Sequence, residues 1–156
     1  MNCTNITREE DNYDPENRVL YSSLSNEVSS KAWVIDSGSS RHITGYKEAL
    51  DSISKKVNGE VTIGDNSTHS VKRIGNCTLK LKSGNSLLLK GVLYIPRIKR
   101  NLISVTTLED DGHNIAFMND KVRTWAKNSF KKAKLIGQRK GYLYELIQNL
   151  VNPFQP

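Results

Sequence analysis

The sequence predicts an all-β fold, a small barrel or sandwich carrying one short helix. Three observations lead there: the apolar runs are short and rich in β-branched residues, turn residues separate them at close intervals, and no stretch before residue 100 has helical periodicity. The chain has 156 residues, 37% apolar and 25% charged, a balance that supports one folded core and leaves some stretches too polar to join it.

From Met1 to about Ser30 the chain is rich in Asn, Asp, Glu and Ser and reads as a polar, disordered leader. At Lys31-Ala32-Trp33-Val34-Ile35 it turns abruptly apolar, the mark of a buried strand. Val61-Thr62-Ile63 and Val71-Lys72-Arg73-Ile74 flank the polar turn Gly64-Asp65-Asn66-Ser67 and form a hairpin candidate. Cys77, Leu79 and Leu81 alternate with Thr78, Lys80 and Lys82, which sets an apolar face against a basic, solvated one. Ser83-Gly84-Asn85 turns the chain into Leu87-Leu88-Leu89, and Gly91-Val92-Leu93-Tyr94-Ile95 follows, stopped by Pro96; both runs suit buried or half-buried strands. Leu102, Val105 and Leu108 recur every third residue ahead of Gly112, which predicts the one short helix. Asn114–Phe117, Lys121–Trp125 and Tyr142–Leu146 return to strand chemistry.

The net charge is +7, unevenly spread: residues 1–70 hold 7 basic and 11 acidic side chains, residues 71–156 hold 16 and 5. The basic half suits either a solvated face or a nucleic-acid partner, with little aromatic interleaving for the latter. No run approaches the roughly 18–20 apolar residues of a membrane span, and the N-terminus has no basic-then-apolar signal pattern. Two cysteines, Cys3 and Cys77, make neither a disulfide framework nor a zinc site, so a reducing, cytoplasmic setting is expected. His42, His69 and His113 lack ligand spacing, and Ser39 with His42 does not define a hydrolase triad; no metal or cofactor is expected.

The sharpest local feature is Asp36-Ser37-Gly38-Ser39-Ser40, directly after the apolar run. A carboxylate at the end of a buried strand is rigidly held, Gly38 allows a tight backbone path, and the hydroxyls can brace the loop. The same residues also make an ordinary turn.

The segment from Trp33 to Thr44, W-V-I-D-S-G-S-S-R-H-I-T, resembles the protease of copia-type retrotransposon polyproteins, usually W-[IV]-[LI]-D-S-G-A-S-x-H-[MI]-T. Three further stretches are similar in order and spacing: Val61–Ser67 through Val71 to Gly75, like that family's flap hairpin; Leu89–Pro96 continued by Asn101–Val105, like its L-K-[DN]-V-L-Y-[VI]-P and N-L-[IL]-S-V block; and Gly141–Leu146, like G-L-Y-x-L. The resemblance implies a retropepsin-like closed β-barrel over 31–130, with 131–156 a C-terminal strand and tail like the start of the pre-integrase region. It implies an aspartic endopeptidase that cleaves its own Gag-Pol polyprotein as a homodimer, in the cytoplasm or within virus-like particles. Asp36, Ser37 and Gly38 would form the catalytic loop, and Ile63, Gly64, Asp65 and Asn66 the flap over a polypeptide substrate. With one Asp-Ser-Gly in the chain, a matching carboxylate has to come from a second copy. Ser39 stands in place of the family's Ala, Arg41 brings a cation near the loop, and the flap turn lacks Asp-Gly. The chain would be a polyprotein fragment, a decayed copy or a reused domain; the alternative function is an inactive barrel that binds protein or nucleic acid through its basic half.

Overall fold

The computed structural model describes residues 31–129 and 133–148; the expected leader over 1–30 lies outside them, as do Phe130–Lys132 and residues 149–156. In chain order the elements are β1 (Trp33–Asp36), β2 (Ile43–Thr44), a 3-10 turn (Lys47–Ala49), β3 (Ser52–Thr62), β4 (Thr68–Lys80), β5 (Ser86–Tyr94) and β6 (Asn101–Ser104). The helix α1 (Val105–Asp110) follows, then β7 (His113–Met118), β8 (Lys121–Ala126), β9 (Lys134–Lys140) and β10 (Leu143–Leu146). All strands share one sheet in the order β3-β4-β5-β2-β6-β1-β10-β9-β8-β7. The mainly-β expectation with one short helix therefore holds.

Closure of the barrel does not. The ladder is linear, and among the described residues no pairing joins its end strands β3 and β7. Elsewhere the chain beyond β4 meets the chain beyond β10 in the isolated antiparallel bridge Leu81–Gln148, extended by Lys82 N–H donating to the Ile147 carbonyl at 3.1 Å. The sheet is nonetheless strongly rolled. Trp33, Ile35, Cys77, Leu79, Leu89, Ile103, Leu108, Val122, Ile136 and Leu146, from β1 and β4 to β10, belong to one buried cluster. A flat sheet would need a second layer to cover that face, and the six-residue α1 is far too small. The sheet therefore covers itself. Its curl also brings Phe117 of β7 edge-on to Tyr144 of β10, with ring centroids 4.9 Å apart, although β8 and β9 intervene in the ladder.

Period-2 alternation sets the two faces of β1. Trp33 and Ile35 enter the main cluster, while Val34 and Asp36 point to the opposite side. That side is apolar near β1: Val34 pairs in register with Leu102, and Leu102 pairs with Ile43. Ile43, Val71, Leu93 and Ile95 form a second cluster, with Val61, Ile74, Ile98 and Leu102 packed on it. A register shift between Gly75 and Cys77 lets β4 serve both clusters, Cys77 and Leu79 in the first and Val71 in the second.

Several expectations are corrected in detail. The pieces at Val71–Ile74 and Cys77–Leu81 merge into one long strand, since the bulge absorbs the break in alternation that separated them. Leu102 belongs to β6 rather than to the helix, which starts at Val105 behind the Ser104 cap. Leu88 and Tyr142 are 45% and 67% exposed, on the outer face of β5 and in the turn before β10. Apart from these corrections, β9 and β10 complete the ladder, and β10 pairs directly with β1.

Gly137 makes that last packing feasible. A Cβ there would lie 2.7 Å from the Ile35 Cδ1 and 2.9 Å from the Glu145 carbonyl oxygen. Gly137→Ala is expected to cost about 1–3 kcal/mol through overpacking. Gly64→Ala, where nothing lies within 4 Å, serves as the control. Urea denaturation of both variants checks this, and an unchanged midpoint for Gly137→Ala would contradict it.

Candidate active site

Asp36 ends β1, half-buried, and starts the loop that returns the chain to β2. Its Oδ1 accepts the Gly38 N–H at 2.7 Å, so the carboxylate closes the tight turn that follows it. A Cβ on Gly38 would lie 3.2 Å from the same oxygen, which leaves little room for any side chain. Ser37 and Gly38 are exposed at the tip. The three catalytic-loop residues expected from the sequence are thus brought together.

The bracing comes from further along. Ser39, buried, donates its Oγ–H to the Arg41 carbonyl at 2.7 Å. Arg41 donates from Nη2 to the Gly91 carbonyl at 3.2 Å, so its guanidinium is anchored on β5. The loop's far end is His42, fully buried, whose Nδ1 accepts the Ser104 N–H at 3.0 Å. Ser104 is also the register partner of Asp36 in the parallel β1–β6 ladder. Its Oγ accepts the Thr107 N–H at 3.1 Å and caps α1, and the Thr107 Oγ1–H donates to the Ser40 carbonyl at 3.1 Å.

An Nδ1 that accepts a backbone N–H carries no proton, so the proton of the neutral ring sits on Nε2, a buried donor without a partner. Burial, and secondarily the charge of Arg41, pushes the His42 pKa down to about 4.

The four flap residues lie at the tip of the β3–β4 hairpin. Ile63 is half-buried, while Gly64, Asp65 and Asn66 are exposed. The Ile63 N–H donates to the Ser67 carbonyl at 3.0 Å and the Asn66 N–H to the Ile63 carbonyl at 2.8 Å. Asn66 takes φ 63°, the left-handed conformation that Asp-Gly turns give to glycine, so the missing glycine is replaced by a residue that tolerates it. Asp65 Oδ1 accepts the Ser67 N–H at 2.8 Å and also its hydroxyl, which hold the Asp65 carboxyl below its usual pKa. Ser67 Oγ in turn meets His69 Nε2 at 2.8 Å. The tip and the Asp36–Gly38 loop are separate in the ladder, since β4 reaches β1 only through β5, β2 and β6. They are linked instead through packing, because Val61 and Val71 of the hairpin join Ile43 and Leu102 on the Asp36 side of the sheet.

Sequence reasoning missed Ser104, Thr107 and Glu145. A serine three residues before Thr107 at the head of an apolar helical repeat was the available sign of the cap. Glu145, on β10 opposite Val34, is buried and paired with Lys140 Nζ at 2.6 Å, while its Oε1 has no partner. No local pattern marks it, since Tyr144-Glu145-Leu146 reads as plain alternation.

Residues 33–113 match the family described as "Pol polyprotein, beta-barrel domain". The chain is 33% identical over 127 residues to the retrovirus-related Pol polyprotein from transposon TNT 1-94 of Nicotiana tabacum, covering 79% of this chain and 9% of that protein. It is 33% identical over 124 residues to the corresponding polyprotein from transposon RE1 of Arabidopsis thaliana, covering 78% and 8%. Against that from transposon RE2 of the same plant it is 40% identical over 77 residues, covering 49% and 5%. The chain thus spans less than a tenth of the length of these relatives. No solved structure matches it.

The depressed His42 pKa fixes the sign of a pH effect. Between pH 6.5 and about 4 the unfolded chain binds a proton on this ring that the native state refuses, so stability rises with pH through that window. Acidification across it should remove up to about 3 kcal/mol, and below it the loss levels off. Denaturant titrations at several pH values check this against His42→Asn, whose stability should fall less on acidification; equal slopes for both proteins would contradict it.

Proposed function

Because the chain belongs to the β-barrel domain family of copia-type retrotransposon Pol polyproteins, we propose that it is the aspartic endopeptidase of such a polyprotein. The observation that carries the reading is the state of Asp36. A half-buried carboxylate stands at the end of a central strand, with one oxygen fixed by the Gly38 N–H at 2.7 Å and the loop behind it fastened to β5, β6 and α1. An ordinary surface turn does not need such support.

One chain supplies one such loop, so the active species is a homodimer with a two-fold axis between the two Asp36 carboxylates. Held close together, they cannot both ionise cheaply and share one proton, as aspartic proteases do in general. The ionised member takes a proton from a water, which attacks the scissile carbonyl, while the protonated member donates to the carbonyl oxygen; the proton then passes to the leaving amine. Gly38, with no side chain, lets each loop approach its symmetry mate. The β3–β4 hairpin, tipped by Ile63–Asn66, closes over an extended peptide and offers backbone hydrogen bonds to it.

Cleavage of a fused polyprotein junction at mildly acid pH tests this. Asp36→Asn should lower the rate by about 100-fold or more while leaving the fold intact. Equal cleavage by both proteins, or by neither, overturns the reading and leaves the non-catalytic barrel as the alternative. A subunit-exchange mixture tests the dimer separately. With equal amounts of native and Asp36→Asn chains, about a quarter of the dimers carry two Asp36 residues, whereas an active monomer would retain about half of the sites.

A further inference from the structure

We propose that His42 is a positioning residue for the Asp36–Gly38 loop, fastening the loop's far end to the same residue, Ser104, that pairs with its near end. The two attachments are of different kinds. Asp36 meets Ser104 through the parallel strand register of β1 and β6. The His42 Nδ1 meets the Ser104 N–H at 3.0 Å through a side chain, six residues further on. A loop whose two ends converge on one residue has little freedom left, and the Thr107–Ser40 bond restrains its middle at 3.1 Å. The tip at Ser37 and Gly38 is thereby held although it is exposed.

Packing alone does not explain an imidazole here. Its Nε2–H is buried without a partner, a penalty that an apolar side chain of similar size would avoid. The ring's other nitrogen is the part with a task, because it accepts a backbone N–H that β6 leaves over where the strand turns into α1. Arg41 is the charged neighbour whose influence reaches the ring, and its guanidinium is bound to the Gly91 carbonyl. The link to catalysis rests on the protease reading above; the ordering of the loop does not.

Two variants separate an acceptor from a filler. His42→Asn keeps an acceptor close to the position of Nδ1 but loses volume, whereas His42→Leu keeps the volume and removes both the acceptor and the orphaned donor. Amide hydrogen exchange on the full chain reads the order of the loop through the Gly38 N–H, which bonds to Asp36 Oδ1. The expected result is Gly38 exchange within about threefold of the native rate in His42→Asn and at least about tenfold faster in His42→Leu, with the β8–β9 amides unchanged in both. In a cleavage assay the same pair should divide in kcat with KM nearly constant, Asn native-like and Leu slowed about tenfold or more. The opposite order, with Leu native-like and Asn impaired, assigns His42 to packing and overturns the proposal, as does loss of Gly38 protection in both variants or in neither. If the native chain cleaves nothing, the protease reading fails, and the exchange data still decide the role of His42.

Discussion

Among the described residues a ten-strand sheet is accompanied by a single short helix, so it buries its apolar face against itself, and most of the described architecture depends on that constraint. Side chains of β1, β4, β5, β6, β8, β9 and β10 meet in one cluster, where Leu89, Ile103, Leu108, Val122 and Ile136 are fully buried. Each such side chain contributes about 1.5–3 kcal/mol relative to exposure, far more than the few surface ion pairs can. Rolling also produces the tight spots. Gly137 of β9 faces Ile35 of β1, and Gly75 lies so close to Ser52 that a Cβ would collide with its carbonyl oxygen.

The second consequence concerns the reverse face of β1. Alternation that sends Trp33 and Ile35 inward sends Val34 and Asp36 outward, so the carboxylate's place follows from the strand that anchors it. The apolar cluster on that side takes in Val61 and Val71, close to the tip of the β3–β4 hairpin, which ties the hairpin to the strands flanking Asp36. Polar groups then fix what apolar packing leaves loose. Asn101, buried on β6, accepts from Thr44 Oγ1 at 2.7 Å and donates to the Lys31 carbonyl at 3.0 Å, so β2 and the segment leading into β1 are both tied to β6.

Local chemistry was legible in the sequence, and long-range pairing was not. The buried run before Asp36, the Cys77-Leu79-Leu81 alternation and the polar hairpin turn could be read because each signal lies within a few residues. The parallel β1–β6 and β2–β5 pairs could not be read, since register between distant segments leaves no local trace. The two-residue β2 is too short to show periodicity, and β9, Lys-Leu-Ile-Gly-Gln-Arg-Lys, hides its two buried positions among charges. At the candidate site, the Asp36–Gly38 loop stood out through its own residues, but its supports did not. Nothing local in Ser104 or Thr107 signals their contacts with His42 and Ser40, and His42, with neither ligand spacing nor a triad around it, carries no local sign of a buried acceptor.

Strand β10 sits beside β1, so the two partners Val34 and Glu145 are separated by about 110 residues of chain. During synthesis β1 emerges about 110 residues ahead of β10 and has one edge open until β10 follows it. Loop closure over that distance is also slow, because the ordering cost is incurred before the contact forms. The pairing of the strand that ends in Asp36 is therefore completed only after β10 has emerged, and the order of translation delays the finished surroundings of that carboxylate.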